Sequence, residues 1–231
     1  PPMHSLYPPT TGLIAMGQSA PIEHYIHLHL PEGVVAASTR VPYEEVSRAG
    51  MKRMIAHLPD AAALLSEAHP SVLIISNFIA SCLMGQEMIN ILQQTVGVPV
   101  IVPGQAYVSF LRRHGKRRLA ILSSFGAELN TVERIFFARN DIQVVGLEEL
   151  EHQTSLLPAE VSPITPDIFQ DGIQRLPLEQ ADALLVDNPL FFPDADIKAC
   201  LPAGKPLLFM SGILLDAALS VLKRERMDRG F

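Results

Sequence analysis

The chain of 231 residues lacks tryptophan, has two cysteines, and devotes only 18% of its residues to charged side chains. Because 48% of the residues are hydrophobic, much of the chain must be buried. Cys82 and Cys200 are too few for a disulfide framework or a cysteine-based zinc site. The formal net charge of −6 argues against a nucleic-acid partner, which would require a basic surface. The one basic run, at 112–118, is typical of an exposed helix end and turn.

Long hydrophobic runs are also missing, because the longest apolar stretches stop well short of a membrane span. The proline-rich first residues lack the basic and apolar segments of a signal peptide, which predicts a cytoplasmic protein. No glycine-rich phosphate-binding motif is present to indicate a nucleotide. We therefore predict no cofactor, no nucleic-acid partner and no membrane association, and homo-oligomer formation stays open.

Three histidines, His24, His27 and His29, raise the question of a metal site. A helix would place the first two on one face without the third, whereas a strand would align the last two without the first. Neither geometry gathers three ligands, and no further cysteine or histidine clusters nearby. We therefore predict no metal site, although His24 could still reach a cleft beside the first strand.

Short apolar runs alternate with segments of helical periodicity along the chain. Runs such as GLIAMG from Gly12, SVLIIS from Ser71 and ADALLVD up to Asp187 have the length of buried parallel strands. Residues 43–68 have apolar side chains at helical spacing and predict one long amphipathic helix. This alternation predicts parallel sheets with helices on both faces, and the second half repeats the scheme of the first.

Two of the predicted strands, one in each half, stop at asparagine: Asn77 and Asn188. Ligands of open α/β sheets bind at the carboxyl ends of the strands, so both positions should face a ligand. Their similar places in two similar halves predict a duplicated fold with one site between the halves.

A family resemblance is carried by four segments: GLIAMGQSAPIEHY, LPEGVVAASTRVPYEEVS, RRLAILSSFGAELNTVERIFF and PLLFMSGILLDAAL. In their order and spacing they resemble the aspartate/glutamate racemase superfamily, particularly its maleate isomerase and arylmalonate decarboxylase branch. The resemblance covers most of the chain and implies an α/β protein with two similar Rossmann-like parallel-sheet domains and a cleft between them. The implied domains are residues 12–104 and 105–211, with a closing helix at 212–226 that packs back on the first domain.

The departures from the family pattern fall at the residues that carry its chemistry. The resemblance implies a catalytic cysteine at one or both strand ends, where this chain has Asn77 and Asn188. An asparagine amide neither titrates near neutrality nor attacks carbon, although it donates and accepts hydrogen bonds. Where maleate isomerases have a tyrosine in the second half, this chain has Phe125. Thiol chemistry at these positions is therefore excluded, and Cys82, inside the following helix, is expected to be buried and inert.

The loops that bind carboxylates in the family are altered as well. Pro189 removes one backbone donor, and Phe78, Ile79 and Leu190 replace hydroxyl or small residues. The pocket should therefore be more apolar and less suited to a small dicarboxylate.

Asp187 is the best replacement for the missing thiols, because it is a carboxylate at a predicted strand end. Burial beside Phe191 and Phe192 would raise its pKa and suit it to general acid or base catalysis. The alternative is an aspartate that caps the turn at Pro189. The sequence leaves both roles open.

Two classes of function follow. The first is a cofactor-independent isomerase or lyase, decarboxylase-like by resemblance, that acts on a small organic acid without the family thiols. The second is a non-catalytic small-molecule-binding or regulatory relative that keeps the pocket. The predicted catalytic residues are Asp187, Asn77 and Asn188. The predicted substrate-binding residues lie in the loops at the strand ends: Gly17, Gln18, Ser19, Phe78, Ser123, Ser124, Phe125, Pro189 and Leu190.

Overall fold

A computed structural model of the chain describes residues 8–17, 19–150 and 161–228. The strands are β1 (Thr10–Met16), β2 (Val35–Val41), β3 (Val72–Ile75), β4 (Val100–Ile101), β5 (Arg118–Ser123), β6 (Gln143–Glu149), β7 (Ala183–Asp187) and β8 (Leu207–Phe209). The helices are α1 (Ala20–His29), α2 (Arg48–Ala56), α3 (Leu58–Ser66), α4 (Phe78–Val96), α5 (Pro103–Arg113), α6 (Ala127–Arg139), α7 (Pro166–Gln174), α8 (Ala195–Ala199) and α9 (Met210–Asp228).

The strands form two four-stranded sheets with the same strand order. The first sheet runs β2-β1-β3-β4 and the second β6-β5-β7-β8, and every pairing is parallel. In each sheet the first strand of the half lies between its two successors, so the connections on its two sides run in opposite directions. This reversal opens a crevice at the carboxyl ends of the strands. The predicted α/β class with two similar parallel sheets is confirmed.

Side chains alternate between the two faces of each strand, and this alternation builds three apolar clusters. Leu13 and Ile121, one from each sheet, belong to a single cluster that also contains residues of α1, α5 and α9. Their neighbours Ile14 and Leu122 point the other way, toward α2–α4 and toward α7 and α8 respectively. Each fully buried aliphatic side chain contributes roughly 1.5–3 kcal/mol. The shared cluster therefore joins the two sheets and fixes the crevice between them.

The single helix predicted over residues 43–68 is wrong, because the segment forms the two helices α2 and α3. They meet at His57, since Pro59 in the first turn of α3 lacks an N–H and would clash with the Ile55 carbonyl in a continuous helix. Helix α2 begins only at residue 48, where the Ser47 side chain accepts a hydrogen bond from the Gly50 N–H at 3.0 Å. Tyr43 therefore lies in the loop between β2 and α2.

The last helix, α9, contacts α1 and α5 and also β3 and β4. The first sheet draws on residues 10–101 and the second on residues 118–209. The domain boundaries at 104/105 and 211/212 remain predictions. Among the described helices, none combines the length and the hydropathy that crossing a membrane requires.

Candidate functional site

A cavity of about 60 Å³ lies where the carboxyl ends of the two sheets meet. One water molecule needs roughly 10–15 Å³ by this measure, so the cavity has room for several waters or a compact ligand. Its walls come from the segments that follow β1, β2, β3, β5 and β7 and from the start of α9. The lining residues are Met16, Ser19, Tyr43, Val46, Ser76, Asn77, Phe78, Ile79, Phe125, Val161, Asp187, Pro189, Leu190 and Met210.

Asp187 is the last residue of β7, and its side chain lines the cavity while the residue is only 6% exposed. Burial raises the pKa of this carboxyl from 3.8 to about 6, so it exchanges a proton close to neutral pH. The alternative role of Asp187, which was to cap the turn at Pro189, is performed by the next residue, Asn188. The Asn188 side-chain oxygen accepts a hydrogen bond from the Leu190 N–H at 2.7 Å. The carboxyl of Asp187 is thus part of the cavity wall.

A second carboxyl group, that of Glu133 on α6, lies beside Asp187. Glu133 is 0% exposed and is not among the residues that line the cavity. Burial raises its pKa well above the ordinary value, and the charge of Asp187 raises it further. No backbone, amide or hydroxyl group of the described residues donates a hydrogen bond to either oxygen of Glu133 or to Asp187 Oδ2. The site therefore contains two adjacent buried carboxyl groups.

Asn77 and Tyr43 form the polar wall on the side of the first sheet. Asn77 is the N-cap of α4, and its Oδ1 accepts a hydrogen bond from the Ala80 N–H at 2.9 Å. This contact fixes the amide, so its NH₂ group remains to donate to other groups. Burial raises the pKa of Tyr43 to about 12, although the neighbouring Asn77 acts to lower it. The phenol therefore keeps its proton at neutral pH and can serve as a hydrogen-bond donor.

Asn188 does not line the cavity, although it was predicted with the catalytic residues. Its Nδ2 donates to Ser124 Oγ at 2.8 Å and to the Ser162 carbonyl at 2.9 Å. Together with the bond from the Leu190 N–H, these contacts tie the turn after β7 to the end of β5 and to the segment at residue 162. The observed contacts of Asn188 are structural.

Of the other residues predicted to bind the substrate, Ser123 and Ser124 are fully buried and do not line the cavity. Ser123 Oγ donates a hydrogen bond to Asn130 Oδ1 at 2.6 Å, and Ser124 Oγ accepts one from Asn188. Gly17 is an exposed turn residue with φ +41° and is also absent from the lining. Ser19 does line the cavity. Gln18 lies outside the described residues.

The four predicted apolar contacts, Phe78, Phe125, Pro189 and Leu190, all line the cavity. With the methionine, valine and isoleucine side chains they make most of the wall apolar. Among the described residues that line the cavity, none is a lysine, an arginine or a histidine. An anionic ligand would therefore have to be neutralised by hydrogen-bond donors rather than by a cationic side chain.

The described histidines and the two cysteines are absent from the lining of the cavity. His24, His27 and His29 all lie on α1, and the last two turn their Nδ1 atoms toward backbone carbonyls of the same helix. Within the described ranges, no group of three His, Cys, Asp or Glu residues is placed to hold a metal ion. Burial raises the pKa of the Cys82 thiol well above its ordinary value, and neither Cys82 nor Cys200 is a lining residue.

Sequence reasoning missed Glu133 and Tyr43. The signal for Glu133 was its position on α6 midway between Leu129 and Phe137, which are four residues away on either side and face the core. A glutamate on such a face has to be paired or protonated. Tyr43 was hidden by the incorrect assignment of its segment to a helix.

Two parallel sheets of identical strand order, with a cavity where their carboxyl ends meet, define the molecule as a duplicated α/β protein. The family model described as arylmalonate decarboxylase matches residues 26–188. The chain belongs to this family, within the maleate isomerase and decarboxylase branch that the sequence resembled.

Solved structures of similar fold support this placement. Maleate isomerase Iso from Pseudomonas putida S16 is 18% identical, with a TM-score of 0.78 and 93% of each chain covered. A mutant of Nocardia farcinica maleate cis-trans isomerase, which holds a covalently bound succinylcysteine intermediate, is 17% identical, with a TM-score of 0.79 and 93% of each chain covered. Arylmalonate decarboxylase is 18% identical, with a TM-score of 0.69 and 92% of each chain covered. No curated protein sequence is significantly similar to the chain.

Proposed function

We propose that this protein is a cofactor-independent isomerase or decarboxylase-like lyase that acts on a small organic acid, with Asp187 in place of the thiol as acid and base. The observation that carries the proposal is the buried carboxyl of Asp187 on the wall of the cavity. With a pKa of about 6, this group can both remove and return a proton at the pH of a cell.

The reaction class follows from what one such group can do at carbon. Removal of a proton next to a carboxyl group leaves an enediolate, and loss of CO₂ from a malonate leaves the same type of species. Return of a proton to carbon then completes an isomerisation or a decarboxylation. Asp187 would perform the proton transfers in either case, and neither requires a thiol adduct.

The negative charge of the enediolate requires donors that are already in place. The phenol of Tyr43 and the amide of Asn77 line the same cavity as Asp187. Phe78 and Ile79 also line it, and they belong to the first turn of α4, where backbone N–H groups have no partner within the helix. These groups are the proposed oxyanion donors.

The lining also limits the substrate. A dicarboxylate brings two charges into a cavity whose described lining residues include no cationic side chain and which has an acidic pair beside it. Desolvation of two carboxylates without cationic partners is strongly unfavourable. Between the two reactions we therefore favour proton exchange at the α-carbon of a compact acid with a single carboxylate and an apolar substituent over decarboxylation of a malonate.

The proposal can be tested by deuterium exchange at carbon. The protein is incubated in D₂O with a panel of 2-alkyl and 2-aryl monocarboxylic acids, the matched malonates and maleate, and products are followed by proton NMR. We expect exchange or decarboxylation with at least one acid that has an apolar substituent, and a rate about 10²–10⁴-fold lower for Asp187→Asn. Asp182→Asn, a carboxylate change near the opposite end of β7, is the control and should retain the rate.

A second candidate is a non-catalytic binding protein. It is favoured by the asparagines at both strand ends and by the structural use of the Asn188 amide. Calorimetric titration of the same acids decides between the two candidates. Binding without deuterium exchange or turnover would support the binding protein, and turnover that survives Asp187→Asn would refute the role given to that residue.

A further inference from the structure

Glu133 is a buried carboxyl group for which the proposed reaction has no direct use, since it does not line the cavity. It sits on the core-facing side of α6 with 0% exposure, and no backbone, amide or hydroxyl group of the described residues donates a hydrogen bond to either of its oxygens. Asp187 Oδ2 also lacks such a donor. Buried polar atoms normally have hydrogen-bond partners, so three buried carboxyl oxygens without a donor at one place require an explanation.

The groups that surround the two carboxyls do not neutralise them. Cys82 on α4 and Tyr107 on α5 are both within electrostatic range of Glu133 and Asp187, and both are uncharged because burial raises their pKa values well above neutrality. Tyr43 faces Asp187 and also keeps its proton. Arg134, the neighbour of Glu133 on α6, is exposed and has the weakest of the influences on it.

Two adjacent carboxylates without a cation between them cannot both ionise near neutral pH. We propose that Glu133 and Asp187 form a carboxyl pair that holds one proton between them, with Glu133 as the positioning residue that hydrogen-bonds to Asp187 and keeps it ready to exchange protons with a substrate. A shared proton gives the otherwise unpartnered oxygens their partner. The catalytic meaning of the pair rests on the proposed function, whereas its existence does not.

The assignment of the proton within the pair follows from exposure. Glu133 is enclosed by the protein, and its pKa is raised by burial and by the charge of Asp187, so it is the member of the pair that holds the proton. Asp187 is then the ionised member at the cavity, and the hydrogen bond from Glu133 lowers its pKa against the larger effect of burial. The pair takes up its second proton, which binds to Asp187, only as the pH falls toward about 6.

The proposed pair predicts different titration midpoints of Asp187 for two substitutions of Glu133. Glu133→Gln removes the titration but keeps a donor toward Asp187, so the Asp187 midpoint should stay near its wild-type value. Glu133→Leu removes the donor and leaves Asp187 with burial alone, so its midpoint should rise by about one pH unit. A purely structural glutamate would not produce this difference.

The measurement is a carbon-13 NMR titration of the full chain labelled at aspartate and glutamate side-chain carboxyls, with Asp187→Asn and Glu133→Gln used for assignment. We expect the Glu133 carboxyl to titrate well above the ordinary glutamate range near 4.3. Titration of Glu133 together with the exposed glutamates, or an Asp187 midpoint that is equal in the Leu and Gln variants, would overturn the proposal. If Glu133→Leu does not fold, the wild-type Glu133 titration alone decides the matter.

This titration needs no substrate, so its failure is separate from failure of the proposed function. A protonated Glu133 in a protein that turns over none of the acids would leave the pair intact and remove its catalytic meaning. Turnover in a protein whose Glu133 is ionised would rule out the proton-sharing pair and leave the proposed function in place.

Discussion

Replacing Asp187 with asparagine should change how the stability of the protein depends on pH. The carboxyl has a pKa of about 6 in the folded protein and an ordinary value of 3.8. The folded state therefore binds the proton more tightly than the unfolded state does, and stability is lost as the pH rises from about 4 through 6. About 2 pKa units at about 1.4 kcal/mol each give a loss of about 3 kcal/mol by pH 7.

Asp187→Asn cannot lose stability in this way, because its side chain does not ionise. We expect the difference in unfolding free energy between variant and wild type to move in favour of the variant by about 3 kcal/mol between about pH 4 and pH 7. For a chain of this size that corresponds to about 6–12 °C in melting temperature. The change with pH is the quantity to examine, because it is independent of any constant offset from the new amide.

The assay is urea and thermal unfolding of both proteins at several pH values across this range, repeated in the Glu133→Gln background, where the neighbouring carboxyl cannot titrate. Asp182→Asn, followed from about pH 4 down to about pH 2, provides a control of opposite sign. The backbone N–H of Arg117 and the side chain of Arg118 lower the pKa of Asp182 to about 2, so Asp182 stabilises the fold above about pH 4 and loses that effect as the pH falls toward 2. A free-energy difference for Asp187→Asn that stays constant from pH 4 to pH 7 would refute the buried, raised-pKa carboxyl.

Three further predictions concern the rest of the site. Tyr43→Phe removes a protonated phenol from the cavity wall and should lower turnover by about 10²-fold or more with an unchanged circular dichroism spectrum, whereas full activity would remove Tyr43 from the proposed donors. Asn188→Ala leaves the Ser124 hydroxyl without its amide donor and should lower the unfolding free energy by about 1–3 kcal/mol, measured as an earlier urea midpoint at unchanged slope. Iodoacetamide should leave binding and turnover intact, because burial keeps the Cys82 thiol protonated and Cys200, the residue after α8, does not line the cavity. Rapid inactivation that a ligand prevents would show that a thiol is catalytic after all.

The sequence by itself determined the fold and pointed to the strand ends at which the candidate site lies. Apolar runs of strand length, alternating with helical periodicity and repeated in two halves, are sufficient to predict two parallel sheets, because both signals are local. The apolar runs also predicted where β3 and β7 end, because each run stops at polar residues. Asn77 and Asp187, which lie at these two ends, line the same cavity. The absence of a thiol at either position was also plain from the sequence.

Only the tertiary structure decided which residues meet and which are already bonded. Asn188 looked like Asn77 in the sequence, yet its amide is bonded to Ser124 and to a distant backbone carbonyl, and such contacts cannot be derived from local pattern. Glu133 is 54 residues from Asp187 in the chain, and only the packing of α6 against the second sheet brings their carboxyls together. Local sequence sets periodicity and chain direction, whereas the proton affinity of a buried group depends on neighbours that arrive from other elements.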